Sequence, residues 1–301
     1  MKTNRWHELL ENLGVWKRRG EVAPHKPLLT LLLLARSQQG LSSQVAFKEL
    51  DAPLKSLLMQ FGPQRRTYHP EFPFWYLQND GFWQVQNREF FERERQTRKG
   101  KTQPTKTALL HHHAVGEVNN FLWKQLKQEP ELVPRLARSL LDQFWPSSLH
   151  DDIVSAVGLN MADTEVVTRK KRDPRFRHEV LRAYERKCAV CGYDARLGDA
   201  LFGLEAAHIK WFQYSGPDQV SNGLALCSLH HKALDKGAIG MSDNRKILVS
   251  SELSGHETVR KTILDFNGQV VRGPQGVGDK PDERFVVWHR KNVFRGPARD
   301  W

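Results

Sequence analysis

The sequence predicts an α+β protein of two domains. The first is mainly helical, with a small β-hairpin; the second is built around a strand, loop, strand, helix unit. Three observations carry this. Apolar residues recur at helical spacing through much of the first 158 residues. All three cysteines fall between 188 and 227, beside clustered histidines. Between these regions lies a polar stretch ending in Thr168-Arg169-Lys170-Lys171-Arg172, which has the composition of a linker. The expected division is 1–158, a linker at 159–172, and 173–301.

The 301 residues are 39% hydrophobic and include nine tryptophans, enough to fill two cores and to exclude wholesale disorder. A formal charge of +12 points to a polyanionic partner, most simply nucleic acid. An odd cysteine count with one Cys-x-x-Cys pair argues against a disulfide framework and for a metal or redox site in a reducing compartment. Residues Met1 to Glu8 lack an apolar signal core, and the longest apolar run, Pro27 to Ala35, is too short to span a bilayer. A cytoplasmic protein with no membrane partner is expected.

Trp6, Leu9, Leu10 and Leu13 are spaced for a first helix that ends at Gly14. A second helix should start at Pro27, since proline suits a first turn; it is apolar nearly all round and should be the buried centre of its domain. Ser43 can cap a third, with Phe47, Leu50, Leu54, Leu57, Leu58 and Phe61 inward. Aromatic stretches 74–78 and 82–85 flank Asn79-Asp80-Gly81, a hairpin signal. Residues 91–107 read as an exposed loop or frayed helix. Helical spacing returns at 115–125, at 131–144 and at about 147–157, before Gly158. In the second domain, Asp173-Pro174 starts a helix with Phe176, Val180, Leu181 and Tyr184 on its inner stripe. Nine Lys/Arg against three acids between 169 and 187 suit DNA-phosphate contact as well as a solvated face. The stretch 285–290 has strand or short-helix character, and His289 reads as a packing or phosphate-contact residue.

Cys188 and Cys191 form one knuckle; Cys227 and His230 repeat its spacing. Two thiolates from one turn and a Cys/His pair from another close a tetrahedral Cys3His shell, a structural zinc site with no open position. Three unrelated buried cysteines would leave the paired spacings as coincidence, and a thioredoxin-like site would lack the second knuckle. A strand across 201–207 should end at His208. Asn222-Gly223 should turn into a strand at 224–226, and Cys227 to Leu234 should form a short helix. Adjacent helical residues diverge by about 100°, so His230 and His231 can serve different sites.

This stretch resembles the zinc-stapled HNH, or ββα-metal, endonuclease motif of McrA-type restriction enzymes. The resemblance covers roughly 60 residues and puts His208, Asn222 and His231 on the H, N and H positions. It implies a general base at His208, a loop-holding residue at Asn222, and His231 as ligand of a catalytic Mg2+ or Mn2+. It also implies 5′-phosphate and 3′-hydroxyl ends. Many members place Asp or His directly before the base, where this chain has Ala207. Glu205 is a candidate further ligand, although strand alternation sets it on the face opposite His208 unless the strand is bulged. Too few ligands would leave a weak or non-catalytic, DNA-binding site.

His25-Lys26-Pro27-Leu28-Leu29 and the run from Tyr68 to Gly81 resemble the sulfur-binding domain of phosphorothioate-dependent restriction endonucleases, over roughly the first 150 residues. A phosphorothioate carries a larger, softer, poorly hydrated sulfur. Pro70, Pro73 and the ring of His69 can form a rigid, weakly polar cup for it. His25, Lys26, Arg65 and Arg66 can meet the phosphates, and Tyr68 or Gln78-Asn79 the bases. The expected partner is double-stranded, phosphorothioated DNA, with methylcytosine as the alternative mark. Cutting both strands needs a homodimer or two sequential nicks.

Overall fold

The fold comes from a computed structural model that describes residues 5–15, 17–18, 21–96, 103–161 and 174–300. It divides into two compact units, Met1–Phe144 with His150–Val167, and Trp145–Leu149 with Thr168–Trp301. None of the described helices is long and apolar enough to cross a membrane.

The first unit begins with α1 (Arg5–Glu11), a short hairpin of β1 (Lys17–Arg18) and β2 (Glu21–Val22), α2 (His25–Gln38), β3 (Gln44–Ala46) and α3 (Phe47–Phe61). It continues with α4 (Glu71–Tyr76), β4 (Trp83–Val85), α5 (Arg88–Gln96), α6 (Lys106–His111) and β5 (Val115–Val118), and ends with α7 (Asn120–Gln128), α8 (Leu132–Phe144) and α9 (His150–Val157). The central helix is α2, packed by α3, α4, α7, α8 and α9. Its Leu28, Leu29, Leu31 and Leu34 are shut off from solvent, each worth about 1.5–3 kcal/mol. The helix starts at His25, two residues earlier than expected. Pro27 therefore lies in the first turn, where its missing N–H costs nothing.

Three expectations are corrected in this unit. Residues 74–85 are not a hairpin: the aromatic run is helix α4 followed by a 3-10 turn, Leu77–Asp80, closed by Gly81 at φ 80°. Strand β4 pairs instead with β5, in an antiparallel sheet of order β3-β5-β4. The partner strand lies some 30 residues downstream, beyond the reach of a local turn signal. Residues 115–118 are accordingly strand, and the helix starts only after Asn119, whose Oδ1 accepts from the backbone N–H of Phe121 (3.0 Å) and Leu122 (3.3 Å). Gly116 is required there, because a Cβ would lie 1.9 Å from the Trp83 ring. Ser43 does not cap α3; the helix follows β3, and Glu49 Oε1 accepts from Ala46 N (3.3 Å).

Of the expected linker, residues 159–161 are tied to α2 by reciprocal bonds between Gln38 and Asn160 (2.9 and 2.7 Å). Residues 162–172, with the basic run and the Asp173 cap, lie outside the described residues, as does 97–102 of the expected loop.

The second unit comprises α10 (Pro174–Ala183), β6 (Arg196–Leu197), β7 (Ala200–Leu201), β8 (Leu204–His208), β9 (Gly223–Cys227), α11 (Ser228–Asp235), β10 (Ile239–Met241), β11 (Ile247–Val249), α12 (Glu257–Thr262) and α13 (Glu283–Asn292). Strands β8 and β9 form an unbroken antiparallel ladder from Leu204↔Cys227 to His208↔Gly223. Helix α10 packs on this ladder through Phe176, Val180, Leu181 and Tyr184, the expected stripe, and α11 also packs on both strands. Gly223 is extended (φ −120°), so it serves no left-handed turn; a Cβ there would lie 2.4 Å from Val180. The glycine lets α10 close on the hairpin. Residues 285–290 belong to helix α13, and buried His289 donates from Nε2 to the Leu234 carbonyl (3.0 Å), a packing role.

Candidate functional site

The two knuckles converge. One ligand atom from each of Cys188, Cys191, Cys227 and His230 falls within 4.8 Å of all the others. Cys191 Sγ is 4.0 Å from Cys227 Sγ, and His230 Nδ1 is 3.6 and 3.2 Å from Cys188 and Cys227 Sγ. A tetrahedral zinc shell has S–S edges of about 3.8 Å and S–N edges of about 3.6 Å, so the donors fit that ion. His230 Nε2 donates to the Thr262 carbonyl (2.9 Å), which leaves Nδ1 bare and aimed at the thiols. The pKa of Cys188 is lowered by hydrogen bonds from Cys191 and Cys227, as a metal-binding thiolate requires.

Next to this cluster, α11 turns His231 away from His230. His231 Nδ1 is 2.5 Å from Glu205 Oε2, and its Nε2 is 3.2 Å from Asp235 Oδ2. Burial opposes a charged ring, but Asp235 and Glu205 outweigh it and raise the His231 pKa to about 9. Glu205 is held below the usual carboxylate range, chiefly by its hydrogen bond from His231. Ser228 Oγ also donates to it (3.0 Å). Asp235 is completely buried and accepts from Trp211 Nε1 (3.0 Å) and Ser148 Oγ. The bulge thought necessary for Glu205 does not exist. On a regular strand Glu205 shares its face with Ala207, so it supplies a carboxylate on the side where Ala207 lacks one. A half-buried carboxylate beside an imidazole is a donor set that suits a hard divalent cation retaining water.

Strand β8 turns His208 the other way. Its ring stacks on Phe176, centroids 4.1 Å apart at 20°, and its Nε2 donates to Asp218 Oδ1 (2.7 Å). Asn222, wholly buried, acts as a clamp. Its Oδ1 accepts from Lys210 N (2.9 Å), and its Nδ2 donates to the carbonyls of Lys210 and Pro217 (both 3.0 Å). It thereby ties the end of β8 to the loop that carries Asp218.

In the first unit, a cleft of about 800 Å³ gathers His25, Lys26, Arg65, Arg66, His69, Pro73 and Asn79 from three separate stretches. Pro70 is absent from its lining; buried at the start of α4, it gives its carbonyl to Phe74 N (3.3 Å). Tyr68 is also outside, its hydroxyl accepting from Arg65 N (3.3 Å). His69 stacks on Phe72 at 4.6 Å and is fixed by Thr67 Oγ1 (3.0 Å) and Glu71 (2.8 Å). The expected charge is redistributed. Burial, with Arg65 and His69 nearby, lowers the His25 pKa to about 4, so it is neutral at pH 7. Lys26 is paired with Asp80 (2.6 Å). The exposed cations of the cleft are Arg65 and Arg66.

Sequence reasoning did not single out Phe72, Thr67, Tyr76 or Asp80 at the cleft, nor Asp218. Asp235, four residues after His231, carried an i, i+4 signal; Asp218 carried none.

Comparison with known proteins agrees with this arrangement. The sequence model of the ScoMcrA-like DNA sulfur-binding domain matches residues 3–162, and that of the HNH endonucleases matches 188–241. A DNA-cleaving hydrolase with its own DNA-reading domain is the class these define. The chain belongs to the ScoMcrA-like DNA sulfur-binding domain family. Similar solved structures include the sulfur-binding domain of ScoMcrA with phosphorothioated DNA (18% identity, 51% of this chain and 94% of that one, TM-score 0.43). The corresponding SprMcrA complex has 17% identity, 53% and 97% coverage and a TM-score of 0.41. The modification-dependent TagI restriction endonuclease has 23% identity, 45% and 41% coverage and a TM-score of 0.30. Curated proteins offer no match.

Proposed function

We propose that this chain is a phosphorothioate-dependent DNA endonuclease, reading the modified backbone with its first unit and hydrolysing a nearby phosphodiester with its second. The observation that carries the reading is the cleft of a sulfur-binding-family domain, in which a ring stack and a proline adjoin two exposed arginines. The apolar wall of His69, Phe72 and Pro73 suits a poorly hydrated sulfur, and Arg65 and Arg66 suit the flanking phosphates.

In the second unit, Cys188, Cys191, Cys227 and His230 would hold a structural zinc ion. Glu205 and His231 would hold Mg2+ or Mn2+, which neutralises charge on the scissile phosphate and the leaving oxygen when bound. His208 takes the proton of the attacking water as general base. Asn222 holds the strand end and the loop in register. The water oxygen bonds to phosphorus, the bond to the 3′-oxygen breaks, and that oxygen is protonated from solvent. With one site per chain, cutting both strands takes a homodimer on DNA or two sequential nicks.

Matched duplexes, one phosphorothioated and one plain, test the reading with Mg2+ or Mn2+ present. Selective binding and cutting of the modified duplex is expected. Equal cutting of both overturns the sulfur assignment, and binding without cutting overturns the nuclease assignment.

A further inference from the structure

His69 lines the cleft of the first unit, yet both of its ring nitrogens are taken by protein groups. Nδ1 lies 2.8 Å from Glu71 Oε1, and Nε2 lies 3.0 Å from Thr67 Oγ1. An ionised carboxylate can only accept, so Nδ1 carries a hydrogen and donates it; the Thr67 hydroxyl can meet Nε2 in either direction. One face of the ring is laid on Phe72, with centroids 4.6 Å apart and planes at 10°. The side chain is still 42% exposed, so what it offers the cleft is carbon: the second face and the C–H edge. The acid behind it is poorly served. Glu71 is only 7% exposed, and its Oε2 is buried with no hydrogen-bond partner among the described residues. Taking a carboxylate out of water is unfavourable unless its oxygens are engaged, and here only one oxygen is served, by a ring that is itself half in solvent. Packing gives no reason for a charge at this position, where Pro73, Phe74 and Trp75 follow it into the core.

We propose that Glu71 is a specificity-determining positioning residue: by holding the Nδ1 hydrogen it keeps the His69 ring flat on Phe72, so that the cleft wall presents carbon to sulfur and no N–H to an ordinary phosphate oxygen. The assignment rests on the reading of this cleft as the phosphorothioate site. Oxygen is the better hydrogen-bond acceptor of the two atoms and the more strongly hydrated. A bare imidazole N–H in the wall would donate to a phosphate oxygen and so favour the plain duplex. Glu71 and Thr67 together remove that donor. Glu71 is not among the residues that line the cleft, so it acts on the DNA only through His69.

The test compares the full chain with Glu71→Leu, Glu71→Met, Glu71→Gln, His69→Ala and the double variant His69→Ala/Glu71→Leu. Binding of matched phosphorothioated and plain duplexes is read by fluorescence anisotropy without Mg2+ or Mn2+, and the melting temperature of each variant is recorded. Glu71→Leu should cut the preference for the modified duplex by about fivefold, with the plain duplex bound at least as tightly as by the parent. Glu71→Met, unbranched, should do the same and serves in its place should Glu71→Leu not fold. Glu71→Gln, whose carbonyl still accepts from Nδ1, should keep the preference within about twofold of the parent. In the His69→Ala background, Glu71→Leu should change the preference by less than about 1.5-fold, because its effect passes through the ring. Long-range 15N–1H spectra of histidine-labelled parent should show a hydrogen on His69 Nδ1, and Glu71→Leu should show it lost from that nitrogen. A parental preference in the apolar variants, an equal further loss in the His69→Ala background, a loss in Glu71→Gln as large as in Glu71→Leu, or a bare Nδ1 in the parent overturns the proposal. Weaker binding of both duplexes alike, with a lowered melting temperature in both apolar variants, makes Glu71 a residue of the fold and overturns it as well. A parent that binds the two duplexes equally sinks the sulfur reading itself, and the proposal with it, before any variant is compared.

Discussion

His231 and Asp235 stand one helical turn apart on α11, with Nε2 of the imidazole 3.2 Å from Oδ2 of a carboxylate that is cut off from solvent. That acid is itself held by Trp211 and Ser148, so the ring is oriented with Nδ1 toward Glu205. A metal-ligating histidine depends on such a partner for its tautomer and basicity.

Asp235→Asn should therefore weaken Mn2+ binding by roughly 10- to 100-fold while leaving the zinc content at one ion per chain. Isothermal titration with Mn2+, together with elemental analysis, checks this. Unchanged Mn2+ affinity would remove Asp235 from the cation site.

Cys191→Ser should unfold the second unit and spare the first. The four donors lie on elements far apart in sequence, and a structural zinc contributes about 10 kcal/mol or more that the apo chain cannot replace. Near-UV circular dichroism and limited proteolysis, read with zinc content, report the outcome. A variant that keeps its fold without zinc contradicts the staple.

The cleft separates charge from shape. Arg66→Ala should weaken modified and plain duplexes alike and lower the salt slope of binding by about 1. His69→Ala and Pro73→Gly should instead cut the preference for the modified duplex, by about tenfold, or roughly 1.4 kcal/mol. Pro70→Gly should lower the melting temperature and leave that preference intact, because Pro70 starts α4 without lining the cleft. Fluorescence anisotropy over a salt series distinguishes the three.

His25 should make the first unit acid-labile. Its folded pKa of about 4 lies below the unfolded value of 6.5, so the unfolded chain binds the extra proton between these limits. Stability is full above pH 6.5 and falls as pH drops toward 4, by about 2 kcal/mol for a partly exposed ring. His25→Gln should flatten melting temperature against pH across this window. An unchanged slope would place the lability elsewhere.

The sequence by itself determined what short spacing can encode. The two knuckles, the separation of His230 from His231, the stripe of α10 and the apolar α2 were legible because each lies within a few residues or one helix face. The aromatic run at 74–77 misled, since its residues favour strand and the turn signal after it is strong; its fate depended on Trp83 and on a strand partner in β5. The tertiary structure alone decided which acid serves which histidine. Strand alternation predicted correctly that Glu205 faces away from His208, but only the packing of α11 showed that this is the face where His231 waits. Asp218, ten residues from His208 in an irregular loop, reached its partner through the Asn222 clamp, a long-range arrangement with no periodicity to reveal it.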